Sequence, residues 1–242
     1  MPRAALTALL AITLLAGALR VHNLGRDSLW EDEAASVLYT HLPVHVLLIH
    51  NVDPGNPPGY RLLLKGWIAI CGTSEFAVRL PSALLGTATV PLVGLLAWLL
   101  TRRTAAALAA ALLLALSPHH VYYSQEARAY ALVVLLATGG TCLLIRALRD
   151  NRRRDWCGYA VLAAVGVYMH YQGFFVIVGQ TLATLTVLML RRTPRAGWRA
   201  PVWAHLAIAA GVLPCLIAYL GRGLLAPGVY PHWQERASWA AF

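Results

Sequence analysis

"PPGYRLLLKGWIAICG", residues 57–72, decides how the chain is threaded, because it is apolar enough to be mistaken for a membrane span. It is shorter than the roughly 20 apolar residues a spanning helix needs, and it carries Arg61 and Lys65. Set on a helix, Tyr60, Leu63, Leu64, Trp67, Ile68 and Cys71 share one face, while Arg61 and Lys65 fall together on the other. That pattern predicts a helix lying in the interface with its apolar side sunk into lipid. Counting it as a span would reverse the side of every later connection.

The remaining chain leaves little doubt about class. Of 242 residues, 59% are hydrophobic and 12% charged, with a mean hydropathy of +0.60. Soluble domains carry about a quarter charged residues, so the sequence predicts an all-α polytopic membrane protein. Apolar runs mark seven spans at roughly 4–22, 78–100, 104–122, 128–148, 156–171, 173–190 and 200–220. Residues 1–22 also fit a cleaved signal peptide, with Arg3, an apolar stretch and "AGA" at 16–18. Both readings put residue 23 on the same side.

Arginines set the orientation. The basic residues are nineteen arginines and one lysine. "TRRT" (101–104), "RDNRRRD" (149–155) and "RRTPRAGWR" (191–199) fall at alternating span ends, which the positive-inside rule makes cytoplasmic. The net charge of +10 is therefore a topology signal and not a nucleic-acid surface. The outer segments are then 23–77, 118–127, the 170–173 turn and the tail at 221–242, and they hold eight of the ten acids. A single transmembrane domain over 1–242 is expected, with 23–77 as its outer working loop. Cys71, Cys142, Cys157 and Cys215 have no metal-ligand or disulfide spacing, and no metal site is expected.

Four acids, Asp27, Glu31, Asp32 and Glu33, crowd the start of the first outer loop. Acids at a helix start answer the helix dipole, and this suffices for Asp27 and Glu31. Asp32 and Glu33 adjoin an apolar stripe of Ala34, Val37, Leu38 and Leu42 that ends at Pro43, so a second interfacial helix is expected there. "NPPGY" (56–60) sets a stiff turn opposite it. The second outer loop, "SPHHVYYSQEARAY" (117–130), places Glu126 and Arg128 among Tyr122, Tyr123 and Tyr130. An aromatic belt with a structural ion pair accounts for these residues; so does an ionisable functional site at a span edge. His170 and Tyr171 form a third polar patch, equally readable as packing.

In this order, "SLWEDEAAS", "NPPGYRLLLKGWIAICGTSEFAVRLPSAL", "SPHHVYYSQEARAYAL" and "VYMHYQGFF" resemble the polytopic GT-C glycosyltransferases, in the branch of the protein O-mannosyltransferases and aminoarabinose transferases. The resemblance covers about residues 20–190. It implies two juxtamembrane helices in the first outer loop and transfer of a sugar from a polyprenyl-phosphate donor to a lipid, glycan or protein acceptor at the non-cytoplasmic membrane face. It also implies that Asp32, first of the Asp-Glu pair, is the general base, with Glu33 beside it. Arg61, Lys65 and Arg128 are then candidates for the donor phosphate, and Asn56, Glu126, His170 and Tyr171 for orienting sugar or acceptor. No cofactor is required, because a lipid phosphate is already a good leaving group.

Two features depart from the family. Asn56 stands where a histidine or lysine often precedes Pro-Pro, so that position brings no charge. Family members also commonly continue into further spans and a soluble outer domain, so the sequence is expected to be an N-terminal portion, a short form, or one subunit needing a partner. The rival reading is a non-catalytic lipid-binding subunit. A transporter is disfavoured, because transporters place ionisable groups near the midplane of their spans and these spans carry almost none there.

Overall fold

The computed structural model describes residues 2–49, 56–190 and 197–225, and every described element is helical. In chain order these are α1 (Arg3–Val21), α2 (Glu31–Thr40), α3 (Val44–Ile49), α4 (Gly59–Cys71), α5 (Glu75–Thr101), α6 (Thr104–Leu116), α7 (Pro118–Ser124), α8 (Tyr130–Asp150), α9 (Arg153–Met169), α10 (Gln172–Leu190) and α11 (Arg199–Leu225). Among them α1, α5, α8, α10 and α11 are long and apolar enough to cross a membrane, and α6 with α7 makes a sixth if the bent pair counts as one span. The chain is an integral membrane protein. The tail from residue 226 and the arginines at 191–195 lie outside the described residues.

Seven continuous spans were expected, and two of them differ. The apolar run 104–122 is not one helix but two, bent by 61°. The cause is Pro118, which has no N–H to give to Leu114 O four residues back. The carbonyls at this break, Leu114 O, which keeps only a 3.3 Å bond from Ser117 N–H, and Ala115 O, are collected by Arg20, which is 0% exposed. Its Nη2 donates to Leu114 O at 3.3 Å and its Nη1 to Ala115 O at 3.4 Å and Ala16 O at 2.9 Å. Its Nε donates to Ser124 Oγ at 3.3 Å, and its Nη2 donates to His120 Nδ1 at 2.8 Å. Ser117, whose hydroxyl accepts from His120 N–H, starts α7 in the new direction. The other difference is α9, which at 17 residues is shorter than the spans around it and opens with Arg153, Arg154 and Asp155.

Packing follows small residues, as close helix approach in a bilayer demands. Ala16, Val90, Ala111 and Ala115 join α1, α5 and α6. The largest cluster centres on α9, whose Trp156, Tyr159, Ala163 and Val167 meet Leu144, Ala147 and Leu148 of α8 and Ala204, Ile208 and Val212 of α11. A third cluster joins Tyr60 and Leu64 of α4 to Val78, Ala127, Leu132 and Val133.

That third cluster corrects the expected face of the 57–72 segment. Tyr60 and Leu64 are buried against protein, not lipid, while Leu63, Ile70 and Cys71 stay exposed. Trp67 ties the helix down by donating from Nε1 to Ala77 O at 2.8 Å. Arg61 is turned inward and buried. The apolar stripe expected on 31–42 is likewise reversed: α2 buries its polar residues Glu33, Ser36 and Thr40 and leaves Leu38 exposed. In both helices polar contacts inside the protein outweigh the simple apolar stripe: Glu33 is held by Arg79 and Ala127 N–H, Ser36 donates to Asp32 O, and Lys65 donates to Thr40 O.

Candidate functional site

The site is built around one arginine. Arg79, in the second turn of α5, offers five N–H donors and all have acceptors: Nε to Glu33 Oε1 at 2.9 Å, Nη2 to Glu33 Oε2 at 2.6 Å and Ser28 O at 3.0 Å, and Nη1 to Leu24 O at 3.1 Å and Asp27 O at 2.8 Å. This two-pronged guanidinium–carboxylate bond is the strong geometry for a buried pair. Glu33 is 0% exposed. Its Oε1 also accepts from Ala127 N–H at 2.7 Å, and its Oε2 from Trp30 N–H at 3.4 Å at the start of α2. Glu33 therefore joins α2, α5 and the α7–α8 connection and has no face turned to a ligand.

The segment "QEAR" (125–128) completes the junction, each residue reaching a different place. Gln125 Nε2 donates to the carbonyls of Leu19, Arg20 and His22 at the end of α1. Glu126 is buried; it shares a hydrogen bond with Tyr122, and burial pushes its carboxyl above the ordinary value against that bond. Its Oε2 has no hydrogen-bond partner among the described residues. Ala127 holds Glu33. Arg128 turns to Asp32, with Nη2 3.4 Å from Asp32 Oδ2 and Nη1 donating to Asp32 O at 3.4 Å and Ser36 Oγ at 3.3 Å.

Asp32 differs from its neighbour in every respect. Its side chain is 46% exposed, and Arg128 is its one ion-pair partner among the described residues. Beside this pair opens a shallow cleft lined by Ser36, Asn56, Tyr60, Arg61, Arg128 and His170, among others. Arg61 donates from Nη2 to Asn56 O at 3.4 Å and lies over the Tyr39 ring. The Tyr60 hydroxyl is held neutral far above its usual range by burial. His170 closes the far wall, its ring tilted on Tyr130 and its Nδ1 accepting from Gln172 N–H at 3.1 Å. Two guanidinium groups and one exposed carboxylate at the edge make a cleft suited to an anion that carries a group toward that carboxylate.

Of the residues singled out from sequence, Asn56, Arg61, Arg128 and His170 converge on this cleft, with Asp32 at its rim through Arg128. Lys65 does not line it. Its Nζ donates to Thr40 O and Leu42 O, capping the end of α2. Tyr171 stacks instead on Phe174 and Tyr219, toward α11, and Glu126 is enclosed behind the QEAR turn. Arg79, Arg20 and Gln125 were not foreseen. Both arginines sit in apolar runs, "FAVRLPSAL" (76–84) and "LLAGALRV" (14–21), where an ionisable residue signals a buried partner. Among the described residues no three His, Cys, Asp or Glu side chains group to hold a metal ion.

The sequence profile described as dolichyl-phosphate-mannose-protein mannosyltransferase matches residues 55–220, more than half of the chain. No curated protein sequence matches it.

Proposed function

Because the chain belongs to the dolichyl-phosphate-mannose-protein mannosyltransferase family, whose members are membrane glycosyltransferases of the GT-C kind, we propose that its cleft transfers a sugar from a polyprenyl-phosphate donor to a lipid, glycan or protein hydroxyl. The observation that carries this reading is the convergence of Arg61 and Arg128 on one cleft, with Arg128 also holding the exposed Asp32. Arg61 and Arg128 take the donor phosphate, whose oxygens suit the guanidinium fork. Asn56, Ser36 and His170 then face the sugar or the acceptor.

The chemistry is a single displacement. The acceptor oxygen bonds to the anomeric carbon, its proton passes to the Asp32 carboxylate, and the bond from the anomeric carbon to the phosphate oxygen breaks. The electron pair stays on the lipid phosphate, where the two arginines stabilise it, and the anomeric centre inverts. Without donor, Arg128 holds Asp32. A phosphate competing for Arg128 loosens that pair and frees the carboxylate to act as base when the donor is in place. Glu33 and Arg79 position α2, and Lys65 fixes its far end. The arginine-rich connections in the sequence support a site on the non-cytoplasmic face, with α2 to α4 along the membrane surface.

Purified chain in nanodiscs, given radiolabelled polyprenyl-phosphate sugars and a membrane extract as acceptor, tests the reading. Label transfer by wild type and none by Asp32→Asn is the expected result. Equal transfer by both overturns the assignment of the base. Saturable donor binding without transfer by wild type turns the reading into that of a lipid-binding subunit.

A further inference from the structure

The end of the bundle away from the cleft carries six exposed arginines. Arg102 and Arg103 stand between α5 and α6, Arg152, Arg153 and Arg154 where α9 begins, and Arg199 at the start of α11. The first two turns are only two residues long, so the helix ends fix where their arginines stand. Arg149 Nη2 donates to Leu99 O at 2.8 Å and ties the end of α8 to the end of α5. Tyr159 Oη lies 3.4 Å from His205 Nε2, and Tyr168 Oη donates to Gly211 O at 2.9 Å. These contacts run α11 parallel to α9 and bring Arg199 to the same end as Arg153. Meanwhile α8 starts beside Arg128 at the cleft and reaches this patch after 21 residues, about 30 Å away.

The charge there is uncompensated. None of the six arginines makes an ion pair among the described residues, and Asp150 is the one exposed acid beside them. Asp155 is 2% exposed and is held by Arg146 at 3.1 Å, so it does not neutralise the surface. Orienting the spans requires that these arginines stay on one side of the membrane. It does not require that they meet, yet the fold gathers them on short, fixed turns. Tryptophans stand among them: Arg102 lies over the Trp98 ring at 4.5 Å, and Trp198 and Trp203 are exposed where α11 begins. Exposed indoles beside cations mark the headgroup level of a bilayer. A surface built for a water-borne polyanion has no use for indoles turned toward lipid.

We propose that this end of the bundle binds the headgroups of anionic phospholipids in its own leaflet, with the guanidinium groups on the phosphate oxygens and Trp198 and Trp203 against the region just below. The surface is separate from the cleft and does not depend on the sugar-transfer reading.

The full chain in detergent micelles tests it, through quenching of its tryptophan fluorescence by brominated phosphatidylglycerol against brominated phosphatidylcholine. Phosphatidylglycerol should bind more tightly, with a preference that shrinks as salt screens the charges. A basic residue near an anionic surface contributes about fivefold. The triple variant Arg152→Gln, Arg153→Gln, Arg154→Gln should therefore lower the preference by up to about a hundredfold, and Arg102→Gln with Arg103→Gln by less. All these residues are exposed, so melting should stay near that of wild type; if the triple variant does not fold, the double variant carries the test. Arg26→Gln, an exposed arginine at the other end, should leave the preference unchanged. Equal quenching by the two lipids overturns the proposal, as does a loss in Arg26→Gln that matches the patch variants. Displacement of the lipid by water-soluble glycerol phosphate or by an oligonucleotide overturns its assignment to a membrane headgroup.

Discussion

Asp32 and Glu33 are neighbours in sequence and each pairs with an arginine, yet the two pairs are opposites. Glu33 and Arg79 meet through two short bonds, at 2.6 and 2.9 Å, with the carboxylate fully enclosed. The Asp32 carboxylate meets Arg128 through a single contact at 3.4 Å and is half-exposed. Helix periodicity produces the difference: consecutive residues on α2 point about 100° apart, so one acid faces α5 and the other the cleft. A buried pair is held because releasing either partner leaves an uncompensated charge, whereas an exposed pair is worth roughly 0–1 kcal/mol and exchanges readily. One pair is suited to fix a helix, the other to give its arginine to an incoming phosphate.

Breaking the buried pair should therefore have the largest effect. Glu33→Gln or Arg79→Met is expected to cost about 3–5 kcal/mol of stability, read as a large fall in melting temperature in detergent and loss of donor binding. The double variant Glu33→Gln, Arg79→Met should recover part of the loss, because no lone charge remains. If either single variant melts like wild type, the junction is not what holds α2. Asp32→Asn separates the two regions most cleanly. It should leave melting within about 1 kcal/mol of wild type while lowering transfer by roughly 10²–10⁴-fold, the usual contribution of a general base. A matched loss of stability and activity would place Asp32 with Glu33 as a structural residue.

A smaller loss is expected at the bend between α6 and α7. Arg20→Met removes the donors to Leu114 O and Ala115 O; Leu114 O keeps Ser117 N–H, and Ala115 O is left unsatisfied at about 1–3 kcal/mol. The melting temperature should fall with donor affinity little changed, because Arg20 does not line the cleft. Glu126 gives a pH signature. Burial raises its carboxyl pKa in the folded state, opposed by the Tyr122 bond and by Arg128 and reinforced by Glu33 and Asp32. A raised acid pKa means that the folded state holds its proton more tightly than the unfolded one, so stability is fullest at acid pH and falls as pH rises through the folded value. Glu126→Gln should remove that decline. The difference between the melting-temperature profiles of wild type and variant measures it, and parallel profiles would show that Glu126 stays unperturbed.

How much of this could be read from residues alone depends on what each residue answers to. The apolar runs place α1, α5, α8, α10 and α11 well, because lipid imposes length and hydropathy on a helix without reference to its neighbours. Tyr60 and Leu64 share a face with Leu63 and Cys71 on any helical wheel, but the first two meet Val78 and Ala127 and the others do not. Periodicity sorts faces; it does not say which apolar face meets protein. The break at Pro118 carried its own signal, since a proline inside an apolar run orphans a carbonyl, and Arg20 in the last turn of α1 was the donor to look for. The cleft was legible in its members Asn56, Arg61, Arg128 and His170. The partition of the acids was not, because Arg79, which makes Glu33 structural, lies 46 residues away in an apolar helix.

The finest comparison sets Lys65 against Arg61, one turn apart on α4. Sequence puts both cations on one face, with equal claim to a donor phosphate. In the fold Arg61 enters the cleft, while the Lys65 ammonium donates to the carbonyls of Thr40 and Leu42 where α2 ends. A cation at a helix C-terminus is worth about 0.3–1 kcal/mol, so Lys65→Met should lower stability by that small amount and leave the donor KM near wild type. Arg61→Met should raise the donor KM clearly, because a guanidinium–phosphate contact is charge-assisted. Should Lys65→Met raise KM as far as Arg61→Met, Lys65 leaves α2 when donor binds and the cleft holds its phosphate with a third cation. If KM is unmoved and only melting shifts, charge alone did not mark the phosphate site. The turn of α4 that carries Arg61 inward did.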